Sequence, residues 1–124
     1  MKKNQKSKVG SAGEKLACKF LEEQGLKIIE RNCRTRFGEI DIIASDGDIF
    51  FFVEVKTKSS KYFGEPFEMV NQKKKRKLIR LCQSFLQSKE ICDPPFRIDI
   101  ISVMIDGEKA KIRHYKNAIV KDNN

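Results

Sequence analysis

The stretch GEIDIIASDGDIFFFVEVKTK, residues 38–58, decides the fold. Two runs rich in Ile, Val and Phe, all strong strand formers, flank Asp46-Gly47. Asp-Gly between such runs predicts a β-hairpin, because a type I′ turn needs positive φ at both central residues. Yet Glu39, Asp41, Glu54 and Lys56 stand among the apolar residues. A two-residue turn sets Ser45 opposite Asp48, and hence Ile43 opposite Phe50, Asp41 opposite Phe52 and Glu39 opposite Glu54. Alternation then sends Glu39, Asp41, Glu54 and Lys56 to one side, with Ile43, Phe50 and Phe52. Ile40, Ile42, Phe51, Val53 and Val55 take the other. Both faces are apolar over most of the hairpin, as a strand covered on both sides requires. Asp41 and Glu54 become diagonal neighbours, roughly 7–8 Å apart at the backbone. Like charges at the end of a buried ribbon are destabilising unless a cation lies between them. Carboxylate oxygens are the ligands Mg2+ takes, so a shared ion reverses the sign of that penalty. Lys56, on the same face, is placed to hold a substrate phosphate or to help lower the pKa of an attacking water. Standing alone, it would read as a strand-end lysine extending to solvent.

Working outward, Ser11 opens a helix with Glu14 at capping-box spacing. Leu16, Ala17, Phe20 and Leu21 recur at helical spacing, and Gly25 is a natural stop. LKIIERNCRTR reads as a strand leading to a turn near Gly38. After a loop with Lys61, Gly64 and Pro66, a second helix is expected from near Asn71. Its apolar face is Leu78, Ile79, Leu81, Cys82, Phe85 and Leu86. DPP at 93–95 closes that region, FRIDIISVMI is a buried strand, and Asp106-Gly107 turns it into a final edge strand around 111–115. The order α-β-β-β-α-β-β predicts an α/β domain, a mixed central sheet flanked by helices. Residues 1–10 are expected as a basic flexible arm and 11–120 as one domain, since 124 residues leave no room for two.

No apolar run approaches the roughly 18 residues of a membrane span, and MKKNQKSKVG does not read as a secretory signal, so a cytoplasmic location is expected. Cys18, Cys33, Cys82 and Cys92 form no C-x-x-C pair and His114 is the single histidine, which points to free thiols rather than zinc. The net charge of +9 is uneven. Residues 1–9 hold four lysines and no acid, and residues 56–80 hold nine basic residues against Glu65 and Glu68. A polyanion, most simply nucleic acid, is the expected partner; solubility is the bland alternative. A membrane-surface role is disfavoured, because the apolar face of the basic helix is needed to cover the sheet.

Asp41 followed a strand later by Glu54-x-Lys56 resembles the PD-(D/E)XK nuclease pattern. GEKLA, ERNCRTRFGEIDII, FFVEVKTK, KKKRKLIRL and FRIDII fall in the order of the small YraN-like family of endonucleases within that superfamily. The resemblance runs from about Gly13 to Ile101, and GEIDII with FVEVKT is its most specific part. It implies a restriction endonuclease-like αβββαβ core, related to Holliday-junction resolvases, with an extra C-terminal edge strand. It further implies Mg2+ or Mn2+ held by Asp41, Glu54 and the Val55 carbonyl, with Lys56 at the scissile phosphate. Glu14 matches a first-helix glutamate that completes the site in the resolvase branch, and it is equally the capping partner of Ser11. Ile40 replaces the proline of the superfamily's name, and Lys75 stands where Gln or Arg is commoner.

Glu39 reads as a group supporting the metal ligands or as a rim charge. Lys74 and Lys75 are expected on the sheet side of the second helix near a phosphate. Lys58, Lys61 and Lys73 add contacts to nucleic acid, with Lys73, Lys77 and Arg80 on a solvated outer face. Asp99, in a buried strand, reads as structural, paired with Arg97 or a further partner; His114 and the cysteines are assigned to structure. The expected function is a metal-dependent endonuclease acting on DNA in preference to RNA, with branched DNA suggested by the resemblance alone. A homodimer would follow if the substrate is a junction. The alternative is a nucleic-acid-binding protein on a nuclease fold that does not cut.

Overall fold

Helices α1 (Lys8–Glu23) and α2 (Gln72–Ser88) cover opposite faces of a five-stranded sheet in the computed structural model, which describes residues 8–59, 72–91 and 94–119. The strands are β1 (Lys27–Thr35), β2 (Gly38–Ser45), β3 (Phe50–Ser59), β4 (Phe96–Asp106) and β5 (Lys109–Ile119), in spatial order β1-β2-β3-β4-β5. All neighbours are antiparallel except β3 and β4, which run parallel across the connection that contains α2. This is the expected mixed α/β architecture with an extra C-terminal edge strand. Lys61 and Asn71 lie outside the described residues, as do Cys92, Asp93 and most of the expected N-terminal arm.

Alternation along the strands builds two cores. Ala17, Cys18 and Leu21 of α1 meet Ile42, Ala44, Phe51, Val53, Ile101 and Val103. Leu81, Cys82, Phe85 and Leu86 of α2 meet Ile43, Phe52, Ile98 and Ile100. The apolar stripe of α2 is therefore consumed by the sheet, as expected. Helix α1 ends as Gly25 predicts: its φ of 91° lets its own N–H reach the Glu22 carbonyl at 2.9 Å, while Leu26 N–H reaches that of Leu21 at 3.2 Å. It begins earlier than expected. Lys8, Val9 and Gly10 are already helical, so Ser11 and Glu14 lie inside the helix and form no capping box. No proline stands in 8–10 to stop the helix there.

The hairpin register also differs. Ser45 pairs with Phe50 and Ile43 with Phe52, not with Asp48 and Phe50 as the two-residue turn requires. The connection has four residues, 46–49. Asp46 Oδ1 accepts the N–H groups of Asp48 (2.8 Å) and Ile49 (3.0 Å), and Ser45 Oγ accepts that of Gly47 at 3.0 Å. A carboxylate folded onto the backbone makes this longer loop the better-bonded choice. Because the slip is two residues rather than one, Phe50, Phe52, Glu54 and Lys56 keep their shared face. Ile40 does not keep its expected side. It joins Ile43 and Phe52 in the α2 core, so alternation breaks at Asp41. There the β1–β2 ladder skips one pair, between Arg31↔Ile42 and Cys33↔Ile40, and Asn32 opposite takes a φ of 52°.

Candidate active site

The β2–β3 ladder ends at Ile42↔Val53, and Asp41 fills the place where the next pairing would fall. Its Oδ2 accepts the N–H of Val55 at 2.8 Å, so the buried carboxylate is tied to the peptide that follows Glu54. The observed register, extended one step, sets Asp41 against Glu54, not against Phe52 as expected. Strand separation at this point is what admits a side chain between two backbones: Asp41 supplies the acceptor that β2 withdraws.

Glu54 and Lys56 project together from β3, with Lys56 Nζ 3.2 Å from Glu54 Oε2 and each side chain about a quarter exposed. An ion pair this accessible contributes at most about 1 kcal/mol, so the lysine is readily redirected to an incoming anion. Both line a cleft of about 180 Å3 together with Glu39, Lys74, Lys77, Leu78 and Leu81. Lys74, Lys77, Leu78 and Leu81 are the i, i+3, i+4, i+7 stripe of α2, and this places Lys77 in the cleft rather than on the outer face. The periodicity that marked the apolar stripe already carried that signal. Lys75 is half-buried and Lys58 lies further along β3; neither lines the cleft. Lys73 lines a neighbouring groove instead.

Glu14 is buried on the α1 side, beside Gly13, whose missing side chain lets the helix lie against Thr57 of β3. The cleft opens on the α2 side, and Glu14 is not among its lining. Among the described residues, no group of three or more His, Cys, Asp or Glu side chains is gathered closely enough to hold a metal ion.

Asp99 proves structural. Arg97 donates to it twice, Nε to Oδ1 and Nη2 to Oδ2, both at 3.0 Å; His114 Nε2 lies 2.7 Å from Oδ2. The Asn117 N–H completes the set at 2.8 Å, from a residue with φ 51° beside the register shift between β4 and β5. Burial opposes the charge, but bonds from His114, Arg97 and Asn117 outweigh it and hold the carboxyl below its ordinary range. The Arg97 guanidinium lies 4.5 Å from the Phe51 ring centre, and His114 meets Phe20 edge-on at 5.7 Å. Cys18, Cys33 and Cys82 are buried free thiols, and burial raises all three, Cys33 to about 11.

Residues 13–103 match the family described as "Uncharacterised protein family UPF0102". A UPF0102 protein of Alkaliphilus oremlandii is 46% identical over 113 residues, covering 90% of this chain and 97% of its own. One from Caldanaerobacter subterraneus subsp. tengcongensis is 41% identical over 121 residues, covering 95% and 99%. The solved structure of Pyrococcus furiosus SfsA in complex with Ca2+ overlays on 87% of this chain and 62% of that protein, at 17% identity and a TM-score of 0.37, a distant likeness.

Proposed function

The chain belongs to the UPF0102 family, and from that premise we propose that it is a metal-dependent endonuclease hydrolysing phosphodiester bonds of DNA. One observation carries the reading: a buried carboxylate and a cleft-facing carboxylate are coupled through one peptide, with lysines on the adjoining wall. Asp41, Glu54 and the Val55 carbonyl are hard oxygen donors. Mg2+ is commonly held by one or two carboxylates, with water and substrate phosphates completing its shell, so this set fits Mg2+ or Mn2+ without a third acid. Glu14 is a further candidate only if it reaches through the parted strands. A bound ion would supply Lewis acidity toward the scissile phosphate.

The chain's own groups supply the rest. Lys56 moves from Glu54 to a non-bridging phosphate oxygen, where its charge offsets that developing as water adds to phosphorus and the P–O bond to the leaving oxygen breaks. Lys74 and Lys77 hold the flanking phosphates, and Leu78 and Leu81 shield the cleft floor from water. Glu39 lines the same cleft as a further acid beside Glu54.

The test is Mg2+-dependent cleavage of single-stranded, duplex, flapped and four-way DNA. Asp41→Ala, Glu54→Gln and Lys56→Ala should each lower the rate by at least about a hundredfold. Should wild type and Asp41→Ala cut equally poorly, the enzymatic reading falls and the non-cutting binder takes its place.

A further inference from the structure

Beside the cleft, Phe37, Lys73, Arg76, Lys77 and Arg80 line a groove of about 300 Å3 that carries four cations and no acid. Lys77 lines both, so groove and cleft are adjacent. Phe37 sits in the β1–β2 turn, half-buried against the α2 core, with the Arg36 and Arg80 guanidinium carbons 5.2 and 5.6 Å from its ring centre. The turn is held in place: Thr35 Oγ1 accepts the Phe37 N–H at 3.0 Å and donates to the Gly38 carbonyl at 3.2 Å. Gly38 closes the turn at φ 141°, a backbone conformation that residues with side chains rarely adopt, and lies in ordinary contact range of Leu81 on α2.

We infer that this groove is the track of a nucleic-acid strand, with Phe37 stacking on an unpaired base next to the cleft. The inference rests on the nuclease reading above and names its substrate: DNA with a single-stranded segment adjoining the cut. Lys73, Arg76 with Lys77, and Arg80 mark successive turns of α2, roughly 5.4 Å apart. Cations this close repel one another, and a polyanion laid along them relieves the repulsion and releases counterions. A ring fixed beforehand loses little freedom on stacking, and a base that takes the place of a guanidinium over the ring releases that arginine to a phosphate. Bases inside a duplex have no open face, so stacking discriminates for unpaired ones. An anionic membrane would use the same cations, but the apolar stripe of α2 is buried against the sheet, which leaves little to insert.

The experiment is fluorescence anisotropy of the full chain in EDTA with labelled single-stranded, duplex and forked DNA. Phe37→Leu, which keeps an apolar side chain against α2, should weaken single-stranded and forked binding about tenfold and leave duplex within twofold. Arg36→Gln and Arg80→Gln, both at exposed positions, should weaken all three and make the salt dependence shallower by about one charge each. These two keep the test open if Phe37→Leu does not fold. Unchanged affinity in all three variants overturns the inference. So does an equal loss on duplex and single strand in Phe37→Leu, or binding to vesicles of anionic lipid with none to DNA. Cleavage in Mg2+ is scored separately. The expected binding pattern without cleavage supports the track and removes only the nuclease reading, whereas cleavage with Phe37→Leu indistinguishable from wild type removes only the track.

Discussion

Asp99 is held by partners from three places: two residues back along β4, across the sheet at His114, and a left-handed backbone position at Asn117. Its side chain is 1% exposed, so Asp99→Asn places an NH2 group against donors and leaves Arg97 without its counter-charge. A loss of about 2–4 kcal/mol is expected from urea unfolding at pH 7. The pH dependence follows from the lowered pKa. As acid is added, the unfolded chain takes up this proton first, near 3.8, so the carboxylate's contribution is complete above that value and disappears as pH falls through the native one. Wild type should therefore lose stability more steeply than Asp99→Asn below about pH 4, and parallel acid limbs would deny Asp99 this role. The Arg97 pairing could be read from spacing; the Asn117 amide could not, because a left-handed φ at a β-bulge has no sequence signature at Asn beyond tolerance.

At the scale of elements, the contact between α1 and β3 sets where Glu14 lies. A Cβ on Gly13 would overlap the Thr57 side chain, which is short, β-branched and unable to swing aside. Gly13→Ala should cost about 1–3 kcal/mol despite the better helix propensity of Ala, and Thr57→Ala in the same chain should recover most of it. Thermal unfolding of the two single variants and the double checks this; additive losses would mean the two residues are not in contact. The hairpin teaches the complementary lesson. Asp46-Gly47 announced a turn correctly, but loop length depended on whether Asp46 would bond its own downstream amides, a choice made by competition among local geometries. The faces of Glu54 and Lys56 survived because the error was even.

For the whole molecule, one parallel pairing, β3 with β4, carries the arrangement that opens a cleft between the parted strands and α2. An ion shared by Asp41 on β2 and Glu54 on β3, as proposed, would couple metal affinity to global stability. Mg2+ at ten times its dissociation constant should stabilise wild type by about 1.4 kcal/mol, or roughly 4–7 °C in Tm. Asp41→Ala, whatever its own baseline, should show no Mg2+-dependent rise. An equal rise in both would place the ion elsewhere.

Period and composition determined the element order, both helix faces and the strands that carry Asp41, Glu54 and Lys56, because alternation and the 3.6-residue repeat are local properties of the chain. The resemblance carried by GEIDII and FVEVKT likewise needed no coordinates. Tertiary structure alone decided three things: that Asp41 bonds the Val55 amide, that Ile40 turns to the α2 core, and that Phe37 lines a basic groove with the Arg36 and Arg80 guanidiniums close to its ring. Each depends on where strands part or a turn meets a helix, and such meetings are set by packing between segments distant in sequence rather than by any residue's own preference.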